Sequence, residues 1–301
     1  MKGLLQNTWK HRAHVVMCLP AVLVLLFFNY VPMAGLVLAF KKFDYKLGIW
    51  GSPFNGLDNF KFLLASKNAF INMTTNTIKY YLIFIIVGTF LNVALAIAID
   101  QLVFKRAGKI MQSIMIIPVF ISYAAVQFIV YAYLNTEGGM INNLFGTSIR
   151  WYSEAGLWTI ILTIVKMWNS VGYGSVLYMS ALAGIDSEIY EAAEIDGADK
   201  WQQIINITLP SLVPMITIIL LLSVGGIMRS DTGLFYQVTR NSGTLYSSTQ
   251  VIDSYVLNAI FKNSNFGFVA ATTFFQSIVG VVLIIGANKI VRKVAPENSL
   301  F

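Results

Sequence analysis

The chain has little of the chemistry that most enzymes and metal sites rely on. Among 301 residues there is one cysteine, Cys18, and there are two histidines, His11 and His14. A lone cysteine excludes an intramolecular disulfide. The histidines sit in the polar N-terminal segment, where they add to a basic juxtamembrane face rather than form a metal site. Charge is scarce too, at 12% of residues. No GxxxxGK[ST] phosphate loop occurs anywhere, so the sequence offers no site of its own for ATP hydrolysis. No internal repeat or low-complexity tail is evident.

Apolar residues are abundant. They make up 56% of the chain, and the mean hydropathy is +0.68, which excludes an ordinary soluble domain. About 20 apolar residues span a bilayer core, and six such runs can be placed: 15–40, 77–99, 110–134, 157–183, 207–228 and 266–290. Backbone groups in lipid must be satisfied internally, so spans are helices or strands of a closed barrel. These runs lack the dyad alternation of barrel strands. The expectation is an all-α integral membrane protein, organised as one membrane domain over 1–301 with six transmembrane helices. The first run follows Lys2, Lys10 and Arg12 like a secretion signal, but it is much longer than a signal core of about 7–15 residues. It is expected to be an uncleaved anchor helix.

The net charge of +7 raises nucleic acid as a partner. The basic residues are scattered among short loops rather than gathered on one face, which argues against it. Lysine and arginine number ten on the side of the termini and nine on the other. Density favours termini inside: Lys105, Arg106 and Lys109 share one short loop, and Lys289, Arg292 and Lys293 close the last run. The outer segments carry Trp50, Phe54, Phe60, Trp151, Tyr152, Phe235 and Tyr236, which fit an interfacial aromatic belt.

One segment stands apart. Six of the fourteen carboxylates lie between Asp186 and Asp199: Asp186, Glu188, Glu191, Glu194, Asp196 and Asp199. A short helix is expected here, capped by Asp186 or Ser187, with acids suited to the positive end of its dipole. Gly197 ends it or permits a sharp turn. A second amphipathic piece over 198–206 leads to Leu209–Pro210. A solvated acidic linker needs neither the Ala192–Ala193 pair, which admits a partner close to the backbone, nor acid on the side where positive charge is expected. A docking helix for a basic groove accounts for both.

The order Glu191-Ala192-Ala193, three residues, Gly197, nine residues, Ile207, one residue, Leu209-Pro210 resembles the EAA signature of binding-protein-dependent ABC importer permeases at every fixed position. The resemblance extends through FKKFDYKLGIWGSPFNGLDNF and ALAGIDSEIYEAAEIDGADKWQQI to nearly the whole chain, and it is similar to the carbohydrate branch, in the oligo- and polysaccharide subgroup.

This resemblance implies a type I importer fold with a cytoplasmic coupling helix. In the family that helix docks into a cleft of a cytosolic ATPase, and ATP-driven closure of the ATPases swings the permeases between inward- and outward-facing states. By motif, Glu191 is the anchor, Gly197 the turn, and Ala192 and Ala193 the close-contact face, with Glu188, Glu194 and Asp196 beside them. Implied partners are a second homologous permease forming a heterodimer, two ATPase subunits and an extracytoplasmic solute-binding protein. ATP and Mg belong to the ATPases, so this chain holds no cofactor. The location implied is the bacterial inner membrane, with both termini cytoplasmic.

Polar residues within spans are costly and usually functional. The candidates for a sugar path are Tyr123, Gln127, Lys166, Asn169, Ser170, Tyr173, Ser223 and Ser230. At 1.5 Å per residue, Asn169 to Tyr173 lie about 16–22 Å from the cytosolic edge. Hydroxyls, amides and aromatic faces suit a sugar ring, although such groups also bond between helices. Gly172, Gly174 and the Ser180/Gly184 pair permit close packing. Lys166 is too deep for easy snorkelling, and two roles stay open for it: pairing with helix carbonyls, or attracting an acidic sugar. Two alternatives remain. A six-helix membrane enzyme or receptor without an ATPase partner should show a cluster of ionisable groups at depth, and apart from Lys166 the spans are expected to offer none. A permease for a non-sugar solute such as a polyamine should show carboxylates in the path, and these are expected to be absent.

Overall fold

A computed structural model describes residues 11–61, 67–102, 104–263, 265–294 and 296. Lys2 and Lys10, part of the basic N-terminal segment, lie outside the described residues. Among the described residues the chain is helical, and the only β feature is an isolated antiparallel bridge between Lys41 and Phe54. Five helices among the described residues are long and apolar enough to cross a membrane. A bent helix pair makes a sixth span if taken as one.

The chain divides into two compact units. The first comprises the N-terminal 66 residues and 259–275. It contains α1 (Val16–Phe40), whose last two turns, Ala34–Phe40, tighten to a 3-10 helix. Leu38, Ala39, Ala270 and Ala271 form its buried centre. Around them Phe40, Phe43, Phe60, Phe266 and Phe274 make edge-on and tilted ring contacts with centroids 5.3–6.2 Å apart. The Asn59 amide donates to the carbonyls of Leu38, Ala39 and Lys41 at 2.9–3.1 Å. It thereby satisfies carbonyls that a helix end leaves open.

The second unit, 67–258 and 276–301, holds the remaining spans. Its helices are α2 (Lys67–Asp100), α3 (Lys105–Ile116), α4 (Tyr123–Leu134), α5 (Trp158–Leu182), a short α6 (Ser187–Ile195) that is not a span, and α7 (Lys200–Val224). After them come α8 (Ile252–Asn263) and α9 (Phe266–Val294), helices shared between the two units. Helix α7 begins at Lys200, earlier than the Leu209–Pro210 start expected of its span. It runs through a π turn at Ile204–Thr208, and Pro210 sits just beyond that turn. Widened turns of this kind absorb irregularities in the helical hydrogen-bond ladder.

The third span departs most from the expected straight run. The segment Arg106–Phe120 and helix α4 meet at 98°. Pro118 lies in a 3-10 turn at Ile117–Phe120, and Ile121 and Ser122 are extended. Proline removes a backbone donor, and the bend leaves carbonyls without helical partners. Inside a membrane protein such a break persists only where those groups are satisfied again. The Asn169 amide donates to the Pro118 carbonyl at 2.7 Å, and Ile121 N–H donates to the same oxygen at 3.1 Å.

Residues 229–265, expected as an outer loop, are largely helical and packed. A π turn at Leu234–Val238, a helix at Tyr246–Thr249 and α8 fold back on the bundle. Leu234, Phe235, Val238, Leu245 and Val251 share one buried cluster with Tyr80, Val126, Val130, Trp158, Leu162 and Val165. Near the other end of α5, Val93, Ala96, Ile97, Tyr178, Leu182 and Leu212 form a second cluster.

Candidate functional site

Helices α2 and α5, the end of α7 and the returning segment enclose a cavity of about 360 Å³. It lies away from the acidic segment: Lys166 sits eight residues into α5, about 12 Å from its Trp158 end at 1.5 Å per residue. Helix α7 stops at Val224, and turns through Gly225 and Gly226 deliver Arg229, Ser230 and Asp231 to the cavity wall. Tyr80, Tyr81, Phe84 and Phe235 supply aromatic faces, and Thr77 and Ser223 contribute hydroxyls.

The charged groups are ordered. Lys166 Nζ donates to Asp231 Oδ2 at 2.9 Å and lies 3.5 Å from the Tyr123 hydroxyl. Asp231 Oδ1 accepts from Leu234 N–H at 3.4 Å, at the start of the π turn. Ser230 donates through its backbone N–H and its hydroxyl to Asp253 Oδ2, at 2.6 and 2.8 Å. Gln276 Nε2 donates to the Met228 carbonyl at 2.6 Å and to Asp253 Oδ1 at 3.3 Å, which fixes the base of this turn. Lys166 therefore pairs with a carboxylate of its own chain, and not with helix carbonyls.

Of the sequence candidates, the cavity gathers Lys166, Ser223 and Ser230, and Tyr123 joins through Lys166. Gln127 borders a separate hollow with Phe128, Tyr131 and Arg240, where the Arg240 guanidinium sits 4.2 Å over the Tyr131 ring. Arg240 and Asn241 both have positive φ, 54° and 48°. Reciprocal amide bonds between Asn241 and Asn258 hold that turn. Next to it, burial pushes the Tyr152 hydroxyl up to about 12, against the opposing pull of Arg240. Asn169 is 6% exposed and committed to Pro118. Ser170 donates back to the Lys166 carbonyl, and Tyr173 is exposed.

Two expectations need correction. Lys166 is not the only ionisable group within the candidate spans: Lys79 lies within α2, beside Thr159 and over the Tyr80 ring. A carboxylate also lines the cavity, in Asp231. It belongs to the segment taken for an outer loop, so its sequence position concealed it. Its cue in the sequence is the neighbouring Gly225 and Gly226, which let the chain turn back.

The acidic segment forms α6 as the spacing predicts. The Asp186 side chain accepts from Glu188 N–H at 3.0 Å, and Gly197 takes φ +83°. Asp199 opens α7 with a capping box, its carboxylate taking Gln202 N–H while Gln202 Oε1 takes Asp199 N–H, both at 2.8 Å. The Tyr190 and Thr208 hydroxyls are 2.9 Å apart and pin α6 against α7. Glu188, Glu191, Glu194 and Asp196 are exposed and make no ion pair among the described residues. Ala192 is exposed and Ala193 half-buried. Ile195 and Trp201 stand 87% and 72% exposed beside them. The surface is acidic and apolar at once, and its apolar members gain little by facing water.

Five spans with a bent pair as a sixth, a capped acidic helix before α7 and a polar cavity toward the other end of α5 are the features with which the comparisons agree. Residues 92–296 match the family described as the binding-protein-dependent transport system inner membrane component, and the chain belongs to it. It is 29% identical to the protein LplB of Bacillus subtilis, over 99% of this chain and 93% of that protein. It is 28% identical, with the same coverage, to the polygalacturonan/rhamnogalacturonan transport system permease protein YteP of the same organism. Its fold matches a chain of a bacterial ABC transporter involved in the import of the acidic polysaccharide alginate. There the TM-score is 0.85 and the identity 27%, over 97% of this chain and 99% of that one.

Proposed function

We propose that this chain is the permease subunit of an ATP-driven oligosaccharide importer in the bacterial inner membrane. The observation that carries this is the exposed, capped α6, with Glu191-Ala192-Ala193 and Gly197 in the family's spacing and no ion pair to its acids among the described residues. It supports docking of α6 into a cleft of a cytosolic ATPase, with Glu191 as anchor and Glu188, Glu194 and Asp196 beside it. Ala192 and Ala193 admit close backbone approach, and Gly197 supplies the turn. The Tyr190–Thr208 contact and the continuity of Lys200–Val224 then carry motion of the docked helix into a span.

On this reading both termini are cytoplasmic and the polar cavity lies toward the outer face. Two ATPase subunits bind ATP and Mg, a second homologous permease completes the pathway as a heterodimer, and an extracytoplasmic binding protein delivers the sugar. This chain carries no cofactor and performs no hydrolysis. The kinship with YteP and the alginate importer supports an oligosaccharide as cargo, as do the aromatic and hydroxyl walls of the cavity.

The deciding experiment is co-purification and transport with Glu191→Lys. Charge reversal is expected to release the ATPase and abolish sugar-stimulated ATP hydrolysis, while the variant still inserts in the membrane. A wild-type chain that retains no ATPase, with a transport-neutral Glu191→Lys variant, overturns the proposal.

A further inference from the structure

The cavity lining carries three formal charges, and they do not cancel. Lys166 and Asp231 neutralise each other at 2.9 Å. Arg229 lines the same cavity and makes no ion pair with any described residue. Asp253, engaged by Ser230 and Gln276, is not part of the lining. The wall therefore keeps one uncompensated guanidinium. In the same wall the Tyr81 hydroxyl is buried, with the Ser223 hydroxyl as its neighbour.

We propose that Arg229 is the specificity-determining residue of this cavity, and that the cavity takes oligosaccharides bearing carboxylates, of the uronic acid type. The proposal rests on the permease reading and deepens it. Arg229 is exposed at this wall, so its guanidinium is accessible to a ligand, and a guanidinium matches a carboxylate with two parallel donors. A neutral sugar leaves that charge unpaired. A cationic solute is repelled by it, since Asp231 is already taken by Lys166. Tyr80, Phe84 and Phe235 offer faces for the CH side of a sugar ring, and the Tyr81 and Ser223 hydroxyls offer hydrogen bonds to its edge. The sign selection expected of Lys166 thus passes to Arg229, because the deeper lysine is internally compensated.

The test uses the complete transporter reconstituted in proteoliposomes with saturating binding protein. The probes are an oligogalacturonate, its methyl ester, which removes the charge and keeps the sugar, and a neutral oligosaccharide of equal length. Arg229→Gln is expected to lower oligogalacturonate uptake at least about tenfold, the scale of a lost charge-assisted contact. It should leave the ester and the neutral sugar within about twofold, and Arg229→Lys should restore part of the loss. Direct binding to the purified transporter without its binding protein removes any selectivity of that protein: the wild type should prefer the acid to its ester, and Arg229→Gln should not. Equal losses for all sugars, or no preference for the acid in direct binding, overturn the role of Arg229 and leave the permease reading intact. A wild-type transporter whose ATPase responds to no sugar overturns both.

Discussion

The ammonium of Lys166 lies 2.9 Å from the carboxylate of Asp231, joining the Trp158 half of α5 to the turn that follows α7. Sixty-five residues of sequence separate the two, and the acidic segment and the whole of α7 lie between them. Both side chains are largely shielded from water, so each charge is tolerable mainly because of the other. The pair fixes where the chain turns back into the bundle, and so where Arg229 and Ser230 stand.

Breaking this pair from either side is expected to cost more than removing it whole. Lys166→Met strands a carboxylate and Asp231→Leu strands an ammonium. Each should lower stability by roughly 1–3 kcal/mol, the cost of an unsatisfied buried polar group. The double variant Lys166→Met/Asp231→Leu should recover part of that loss, because the desolvation of both charges disappears with them. Thermal midpoints of the detergent-purified complex close the cycle. Strictly additive losses would mean that the two side chains do not interact.

Asn169 is expected to be a structural residue, not a contact for sugar. Its amide is the side-chain donor that reaches the Pro118 carbonyl at the break of the third span. Asn169→Ala leaves that carbonyl short of a partner in a site that is 6% exposed, and should destabilise the complex by about 1–3 kcal/mol. Transport by the surviving protein should keep its apparent affinity for sugar, with the loss seen in yield and thermal midpoint. A weakened affinity at unchanged stability would return Asn169 to the transport path.

The spans and α6 were legible in the sequence because their signals are local. A long apolar run declares a span by length alone. Asp186, Gly197 and the Glu191-Ala192-Ala193 spacing each act over a few residues. The cavity was legible only in part, and the difference is physical. Lys166 and Ser223 show themselves as polar groups inside apolar runs. Asp231 and Arg229 sit in a polar segment that composition cannot tell from an outer loop, and only long-range packing of Leu234, Phe235 and Val238 against Tyr80 and Trp158 brings them inward. The bend in the third span was hidden for a related reason. Pro118 hints at a break, but a continuous apolar run conceals its size, and its acceptor is satisfied by an asparagine 51 positions away.

The glycines of α5 separate by what stands opposite them. A Cβ added at Gly172 would press on the backbone carbonyl of Met115, which cannot move without shifting α3. One added at Gly174 would meet the side-chain amide of Asn92 at 2.6–2.8 Å, a group able to rotate away and whose Oδ1 has no hydrogen-bond partner among the described residues. At Gly184, just past the helix, the nearest atom is the Ala181 carbonyl oxygen at an ordinary 3.4 Å. Gly172→Ala is therefore expected to destabilise by about 1–3 kcal/mol, as overpacking against a fixed neighbour does. Gly174→Ala should cost less, and Gly184→Ala close to nothing. The order of the three thermal midpoints is the measurement, since a general penalty for altering the span would lower Gly172→Ala and Gly174→Ala equally. Because α3 leads directly into the bend before Tyr123, Gly172→Ala should also displace the Tyr123 ring from beside Lys166 and lower transport beyond what the loss of folded protein explains.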